Sequence, residues 1–250
     1  MTSVAAGPVR LRARLDAPLS RWLWLVKWFL IIPHTVVLAL LWVAFAVLSV
    51  VAFVAILCTA HYPHAIFVFN LGVLRWTWRV VYYTYGALGT DRYPPFTLGE
   101  VPDYPATLHV AYPQHLSRGL VLVKWWLLAL PHYLVVGVFL GGIGFGVYHV
   151  VDPSRSGGSW PVGGGLIQLL ALIAGVALLF TGRYPRGVFD LLLGLHRWVL
   201  RVAAYAALMT DAYPPFRFDL GGDDPGDLPS VRYGASAASS AAGRSTGNGV

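Results

Sequence analysis

Acidic residues are scarce and nearly all of one kind: of eleven, Glu100 is the only glutamate, and none falls between Asp16 and Asp91. Cysteine is scarcer still. The single Cys58 excludes a disulfide framework and a cysteine-built metal cluster. Its place inside an apolar run marks it as a small core-facing residue. Charged residues of both signs make up 12% of the 250 positions, against 57% apolar ones. A globule of this size could not bury that much apolar surface in one core, whereas a bilayer can solvate it. Recognisable catalytic patterns are lacking too: no phosphate loop, nucleophile elbow or dinucleotide fingerprint is present, and no carboxylate pair is spaced for acid/base work. His61 and His64 at i,i+3, without an added carboxylate, do not make a zinc site. The sequence therefore assigns no catalytic residue, metal or cofactor, and enzymatic activity is not expected.

What the chain has instead is long apolar runs. From Trp22 to Cys58 the only ionisable groups are Lys27 and His34, and Gly163 to Gly182 carries no charge. Both exceed or match the roughly 20 residues needed to cross hydrocarbon. The first run is too long for a secretory signal and lacks a small-x-small cleavage site, so it reads as a retained segment. The formal charge of +7 comes from arginines flanking these runs. That placement favours anionic lipid over nucleic acid as the partner.

The two halves repeat each other. Ser20-Arg21, Val26-Lys27-Trp28 and Pro33-His34 return as Ser117-Arg118, Val123-Lys124-Trp125 and Pro131-His132. Thr59, Tyr62-Pro63, Phe67, Gly72, Arg75-Trp76, Arg79-Val80 and Tyr83 return as Thr181, Tyr184-Pro185, Phe189, Gly194, Arg197-Trp198, Arg201-Val202 and Tyr205. Each copy closes on an elbow, Thr90-Asp91-x-Tyr93-Pro94-Pro95-Phe96 and Thr210-Asp211-x-Tyr213-Pro214-Pro215-Phe216. Such a series marks an internal duplication. It divides the chain into an N-terminal tail (1–8), repeat 1 (9–98), a linker (99–106), repeat 2 (107–220) and a Gly/Ser/Ala/Asp-rich tail (221–250) expected to be disordered. Pro33 to Thr59 spans 26 positions but Pro131 to Thr181 spans 50, so repeat 2 holds an insertion, including a loop signature at about 151–162.

The expected fold is mainly α: two tandem repeats, each a transmembrane hairpin plus an amphipathic interfacial helix, with a small cytoplasmic β-sheet. Four crossings would put every basic cluster on one side, apart from Arg155, and both termini in the cytoplasm. The rival is a single long crossing from Pro33 to Thr59. It would return through the arginine-bearing helix and bury two guanidiniums, at about 2.5 kcal/mol or more each. Phe67 to Leu88 and Phe189 to Leu208 read as helices whose arginines share one stripe, suited to an interface with Trp76, Trp78 and Trp198 at its boundary. Alternation over Val9 to Leu15 and Thr107 to Ala111 predicts strands, with Phe96 to Leu98 and Phe216 to Phe218 as shorter candidates.

The doubled Tyr-Pro-x3-Phe, Arg-Trp-x2-Arg-Val and Thr-Asp-x-Tyr-Pro-Pro-Phe motifs resemble an actinobacterial integral membrane family, domain of unknown function 4389, over roughly Val9 to Leu220. The resemblance implies a multi-pass plasma-membrane protein from a high-GC Gram-positive source, and brings no activity or ligand. One departure is that Arg183 and Arg186 flank the second Tyr-Pro as in the family, whereas His61 and His64 flank the first.

Four arginines, Arg75, Arg79, Arg197 and Arg201, are the lipid- or anion-binding candidates, since guanidiniums one helical turn apart can share a phosphate. The competing role is pairing with Asp91 and Asp211. The elbows (Asp91, Tyr93, Pro94, Pro95; Asp211, Tyr213, Pro214, Pro215) read as rigid connectors. Pro33-His34 and Pro131-His132 read as kinks closed by a hydrogen-bonded imidazole. The favoured function is a scaffold or lipid-interacting component of the cell envelope, with membrane lipids as partners and a second copy of the chain as a further candidate. A small-solute transporter or channel subunit built on Gly137, Gly141, Gly142, Gly144 and Gly146 is the alternative. A membrane-embedded enzyme is the third.

Overall fold

A computed structural model describes residues 7–141, 165–216 and 218–221. The inserted loop at 151–162, the tail beyond 221, the first six residues, Arg217, Gly142, Gly144 and Gly146 lie outside the described residues. The order is β1 (Val9–Ala13), a 3-10 turn (Leu23–Leu25), α1 (Lys27–Leu30), α2 (Ile32–Thr59), α3 (His64–Tyr83) and β2 (Ala106–Val110). Then come α4 (Arg118–Val123), a π-helical turn (Lys124–Leu128), α5 (Leu130–Leu140), α6 (Leu166–Thr181) and α7 (Arg186–Ala206).

The strands are where alternation predicts them. β1 and β2 pair antiparallel with Leu11 opposite Leu108, the centre of the ladder. Those two leucines are also equivalent positions of the duplication, so a pseudo-two-fold passes between them. Phe96-Thr97-Leu98 stays irregular.

Where a first hairpin is expected, α2 is one unbroken helix of 28 residues. It ends on Ala60 with φ 60° and the Ala60 amide bonded to the Ile56 carbonyl. Repeat 2 builds its counterpart from two pieces. A Cβ on Gly165 would fall 2.4 Å from the Gly141 nitrogen and 2.2 Å from the Phe139 carbonyl oxygen, so α6 resumes where α5 stops. α6 closes on Gly182 at φ 68°, as α2 closes on Ala60. The added chain between Gly141 and Gly165 thus interrupts a rod that is continuous in repeat 1. Among the described residues only α2 is by itself long and apolar enough to cross a membrane; α4, the π turn and α5 qualify only together, across a 43° bend.

The helices and the sheet form three layers, and α3 shows why. Its Trp76 and Thr77 meet His34 and Trp42 of α2, and Asn70 meets Ser49. At 100° per residue, Phe67, Arg75, Arg79 and Tyr82 lie on the opposite side. There Phe67 packs on Tyr112, Arg75 reaches the Leu108 carbonyl, the Tyr104 hydroxyl reaches the Arg79 carbonyl, and the Tyr82 hydroxyl reaches the Arg14 carbonyl. The sheet therefore runs along α3 for most of its length. Repeat 2 is layered likewise, with α7 between β1 and the α5/α6 rod.

This burial corrects the interfacial reading of the arginine-bearing helices. Trp76, Trp78 and Trp198 are core residues rather than boundary ones. Cys58, expected to face the core, is exposed.

Candidate functional site

Each repeat builds one station at its elbow, and the two stations share the contacts of a lysine, an aspartate and a serine amide. Lys27 donates to the Thr90 carbonyl at 2.7 Å and pairs with Asp91 at 3.0 Å. Lys124 donates to the Thr210 carbonyl at 3.0 Å and pairs with Asp211 at 2.7 Å. The second oxygen of each aspartate accepts the amide of Ser20 or Ser117, at 2.5 and 2.7 Å. Both ammonium groups also sit over a tyrosine ring, Tyr83 at 4.6 Å and Tyr205 at 5.5 Å. The elbow carboxylates are thus taken by lysines, which corrects the expected pairing with the arginines. Lys27 is almost wholly buried. That burial holds its pKa below the usual lysine value, against the opposing charge of Asp91.

Pro33 and Pro131 stand in the first turns of α2 and α5, where proline's missing N–H costs nothing. In repeat 2 the change of direction, 43°, lies just ahead of the proline, between Leu128 and Leu130. His34 and His132 accept from the indole N–H of Trp76 at 3.1 Å and Trp198 at 3.0 Å through Nδ1. The same imidazoles stack on Phe96 at 3.9 Å and Phe216 at 4.3 Å, and Tyr93 and Tyr213 close each cage at 4.9 and 4.8 Å. Accepting through Nδ1 fixes the proton on Nε2, and both Nε2 atoms are buried without a partner among the described residues.

The arginines turn inward onto the sheet and the segments following the elbows. Arg197 is 1% exposed; its Nε donates to the Leu11 carbonyl at 3.2 Å and its Nη1 to the Asp219 carbonyl at 2.5 Å. Arg201 pairs with the Asp219 carboxylate at 2.5 Å. Arg75 repeats the first contact, Nε to the Leu108 carbonyl at 3.0 Å, and pairs with Glu100. Arg79, 3% exposed, donates to the carbonyls of Gly99 and Thr97, and its Nε has no hydrogen-bond partner among the described residues. Burial lowers the Arg79 pKa from the usual arginine value, with Arg75 adding to the shift and Tyr104 opposing it.

A cleft of about 370 Å³ opens beside Arg75 and Arg79, between α3, the sheet and the segment after the elbow, with Arg10, Arg12, Glu100 and His109 also on its walls. Sequence reasoning noted Lys27 and Lys124 only as landmarks of the repeat. A lysine recurring inside an apolar run at the same offset from an elbow aspartate is the signal that could have paired them. Glu100 and Asp219 lie outside the repeated motifs and carried no such signal.

A doubled helical unit locked by Lys-Asp and Trp-His contacts at each elbow defines the class: a duplicated, mainly helical protein with an apolar outer layer. The family described as domain of unknown function (DUF4389) matches residues 21–97 and 160–217, one segment in each repeat and more than half of the chain. The chain belongs to that family. No curated protein and no solved structure matches it.

Proposed function

We propose that this protein is a membrane-inserted, lipid-interacting scaffold of the cell envelope, held in the cytoplasmic leaflet of the plasma membrane by its outer helical layer. The observation that carries the reading is the face that α2 turns away from α3: Val36, Leu40, Val43, Val47, Val50 and Val54 are all exposed. They recur every three to four residues along one stripe. In repeat 2, Leu134, Val138, Leu169, Ile173 and Phe180 extend the exposed apolar surface. Trp22, Trp28, Trp125 and Trp126 are exposed near the start of each rod, as residues of a membrane–water boundary are. A soluble monomer does not leave so large a contiguous apolar patch to water.

The layering favours helices lying along the membrane over the four crossings expected from the placement of the basic clusters. A crossing α2 would carry α3, and the sheet that runs along it, to the same depth, with Arg10, Arg12 and His109 in hydrocarbon at several kcal/mol. With α2 and the α5/α6 rod in the leaflet, the sheet faces the cytoplasm and the basic flank meets anionic headgroups. Cytoplasmic termini follow from that orientation.

Spin labels on single cysteines at Val36, Val43, Val50 and Val54, in a Cys58→Ala background reconstituted in vesicles, test both parts. Contact with hydrocarbon makes all four more accessible to oxygen than to a water-soluble nickel reagent. Helices lying along the membrane give four similar depths. A depth profile peaking mid-helix would restore the crossing model, and nickel accessibility throughout would remove the membrane reading.

A further inference from the structure

A second cavity, of about 330 Å³, opens between the two repeats, where the middle of α2 faces the end of α7. Trp42, Phe45, Ala46 and Ser49 form one wall, and Ala203, Ala206 and Ala207 form the other. None of these residues is charged. The two polar side chains on the α2 wall are turned onto α3: the Trp42 indole N–H donates to Thr77 Oγ1 at 3.2 Å, and Ser49 Oγ accepts from Asn70 Nδ2 at 3.2 Å. What the walls offer an occupant is therefore almost entirely hydrocarbon.

The cavity goes with a difference between the repeats. Tyr62 and Tyr184 mark Ala207 and Ala87 as equivalent, since Tyr62 bonds the Ala207 carbonyl and Tyr184 that of Ala87. Between Tyr83 and Ala87 stand Thr84, Tyr85 and Gly86, whereas only Ala206 stands between Tyr205 and Ala207. The additional Tyr85 donates to the Trp24 carbonyl at 2.8 Å and packs against the core at the end of α3. Repeat 2 has no such side chain to place at the end of α7, and alanines bound the space instead.

Size and polarity select the occupant. One turn of α-helix with its side chains, about 10–12 Å across and 5.4 Å high, takes up roughly 500 Å³, more than the cavity holds. An extended peptide would bring N–H and C=O groups that these walls cannot satisfy. A hydrocarbon chain brings none. Alanine on both walls leaves a slot without side pockets, which suits an unbranched chain. Ala46 adjoins the exposed Val43 and Val50 at i−3 and i+4 on α2, so the cavity is continuous with the outer apolar stripe.

We infer that the cavity between α2 and α7 holds one unbranched acyl chain of a membrane phospholipid. The inference rests on the lipid-interacting reading and is tested apart from it: accessibility along Val36 to Val54 reports the outer stripe, whereas occupancy of the cavity is read without a bilayer.

The test titrates the full chain, in a sterol-based detergent that has no acyl chain to compete, with phosphatidylcholine carrying a nitroxide near the end of one chain. Electron paramagnetic resonance separates motionally restricted from mobile probe. Ala206→Phe fills the cavity from α7 and Ala46→Phe fills it from α2, while Val36→Phe adds the same apolar surface on the stripe outside it. Expected is a saturable restricted population of one probe per chain, weakened roughly tenfold or more in both cavity variants and changed less than about twofold in Val36→Phe. Ala206→Phe should melt at or above the wild type, as cavity-filling changes do; if it melts lower, Ala46→Phe carries the comparison, because Ala46 is exposed. Restricted probe that grows beyond one per chain without saturating is annular lipid and overturns the inference. So does a restricted population that neither cavity variant weakens, or none at all. Displacement of the probe by a branched polyprenyl phosphate at least about tenfold better than by unlabelled straight-chain phosphatidylcholine overturns the assignment to an acyl chain.

Discussion

Arg197 Nε donates to the carbonyl of Leu11 at 3.2 Å, across 186 residues of chain. Arg75 mirrors it on Leu108, the residue paired with Leu11 at the centre of the sheet. Each strand is therefore held by the helix of the other repeat. The tyrosines cross in the same way, Tyr62 bonding the Ala207 carbonyl and Tyr184 that of Ala87. Replacing Arg197 with methionine keeps much of the side-chain volume but leaves the Leu11 and Asp219 carbonyls without their guanidinium donor. The expected loss is about 3 kcal/mol or more, read as a fall in denaturation midpoint in detergent. Arg75→Met should cost less, because its partner Glu100 is exposed and water can replace the lost contact.

The elbow lysines make a second prediction. Lys27→Met leaves Asp91 with the Ser20 amide but no countercharge, and should destabilise by about 2 kcal/mol or more. Adding Asp91→Asn should recover part of it, giving a coupling energy above about 1 kcal/mol in a double-mutant cycle. The cycle on Lys124 and Asp211 should give a similar value, since the two stations share their geometry. A coupling near zero in both would show that the lysines act through packing on Tyr83 and Tyr205 alone.

The duplication, the elbows and both strands were legible in the sequence because each is local: a motif, a proline pair or an alternation of side chains. The direction of the arginine stripe was not. A helical wheel shows that Arg75 and Arg79 share a face, but the strand that covers the face lies some thirty residues later, and for Arg197 it comes at the other end of the chain. The rod was misread for a different reason. Inserted residues in repeat 2 suggested a hairpin, although the 26 positions from Pro33 to Thr59 already fit one helix. In repeat 2, Phe139 of α5 and Ile167 and Ala171 of α6 pack in one cluster with Leu192, Leu195 and Trp198 of α7, on the side where α2 packs on α3 in repeat 1.

His196 gives the pH dependence. Its Nδ1 contacts the Leu192 carbonyl at 2.8 Å and its ring lies 5.1 Å from that of Trp78. Burial pushes its pKa down to about 4, with the backbone hydrogen bond opposing the shift. The unfolded chain binds a proton near 6.5 while the folded chain does so only near 4. Stability from this group is therefore full above about pH 6.5 and lost progressively as pH falls toward 4, by up to a few kcal/mol. Denaturation midpoints between pH 7 and 4.5 should fall in the wild type and fall less steeply in His196→Leu. Parallel curves would assign the acid sensitivity to other groups.

The interrupted rod gives the last prediction. Gly165 already lies against Gly141 and the Phe139 carbonyl, so deleting residues 142–164 joins two chain ends that are in contact. The junction Leu140-Gly141-Gly165-Leu166 carries two glycines, which lowers helix propensity by about 1 kcal/mol each relative to alanine. Tertiary contacts on both sides oppose that loss: Phe139 packs on Trp198, and Ile167 and Ala171 share a buried cluster with Leu192 and Leu195. Replacing both junction glycines with alanine in the deletion variant should recover the propensity and yield a helix like α2. The double alanine variant should therefore melt at or above the temperature of the single deletion. A rod requires that Gly141 leave its left-handed φ of 81°, which alanine favours. If α5 and α6 instead turned back on each other, alanine at that φ would be strained and the double variant would melt well below the deletion alone.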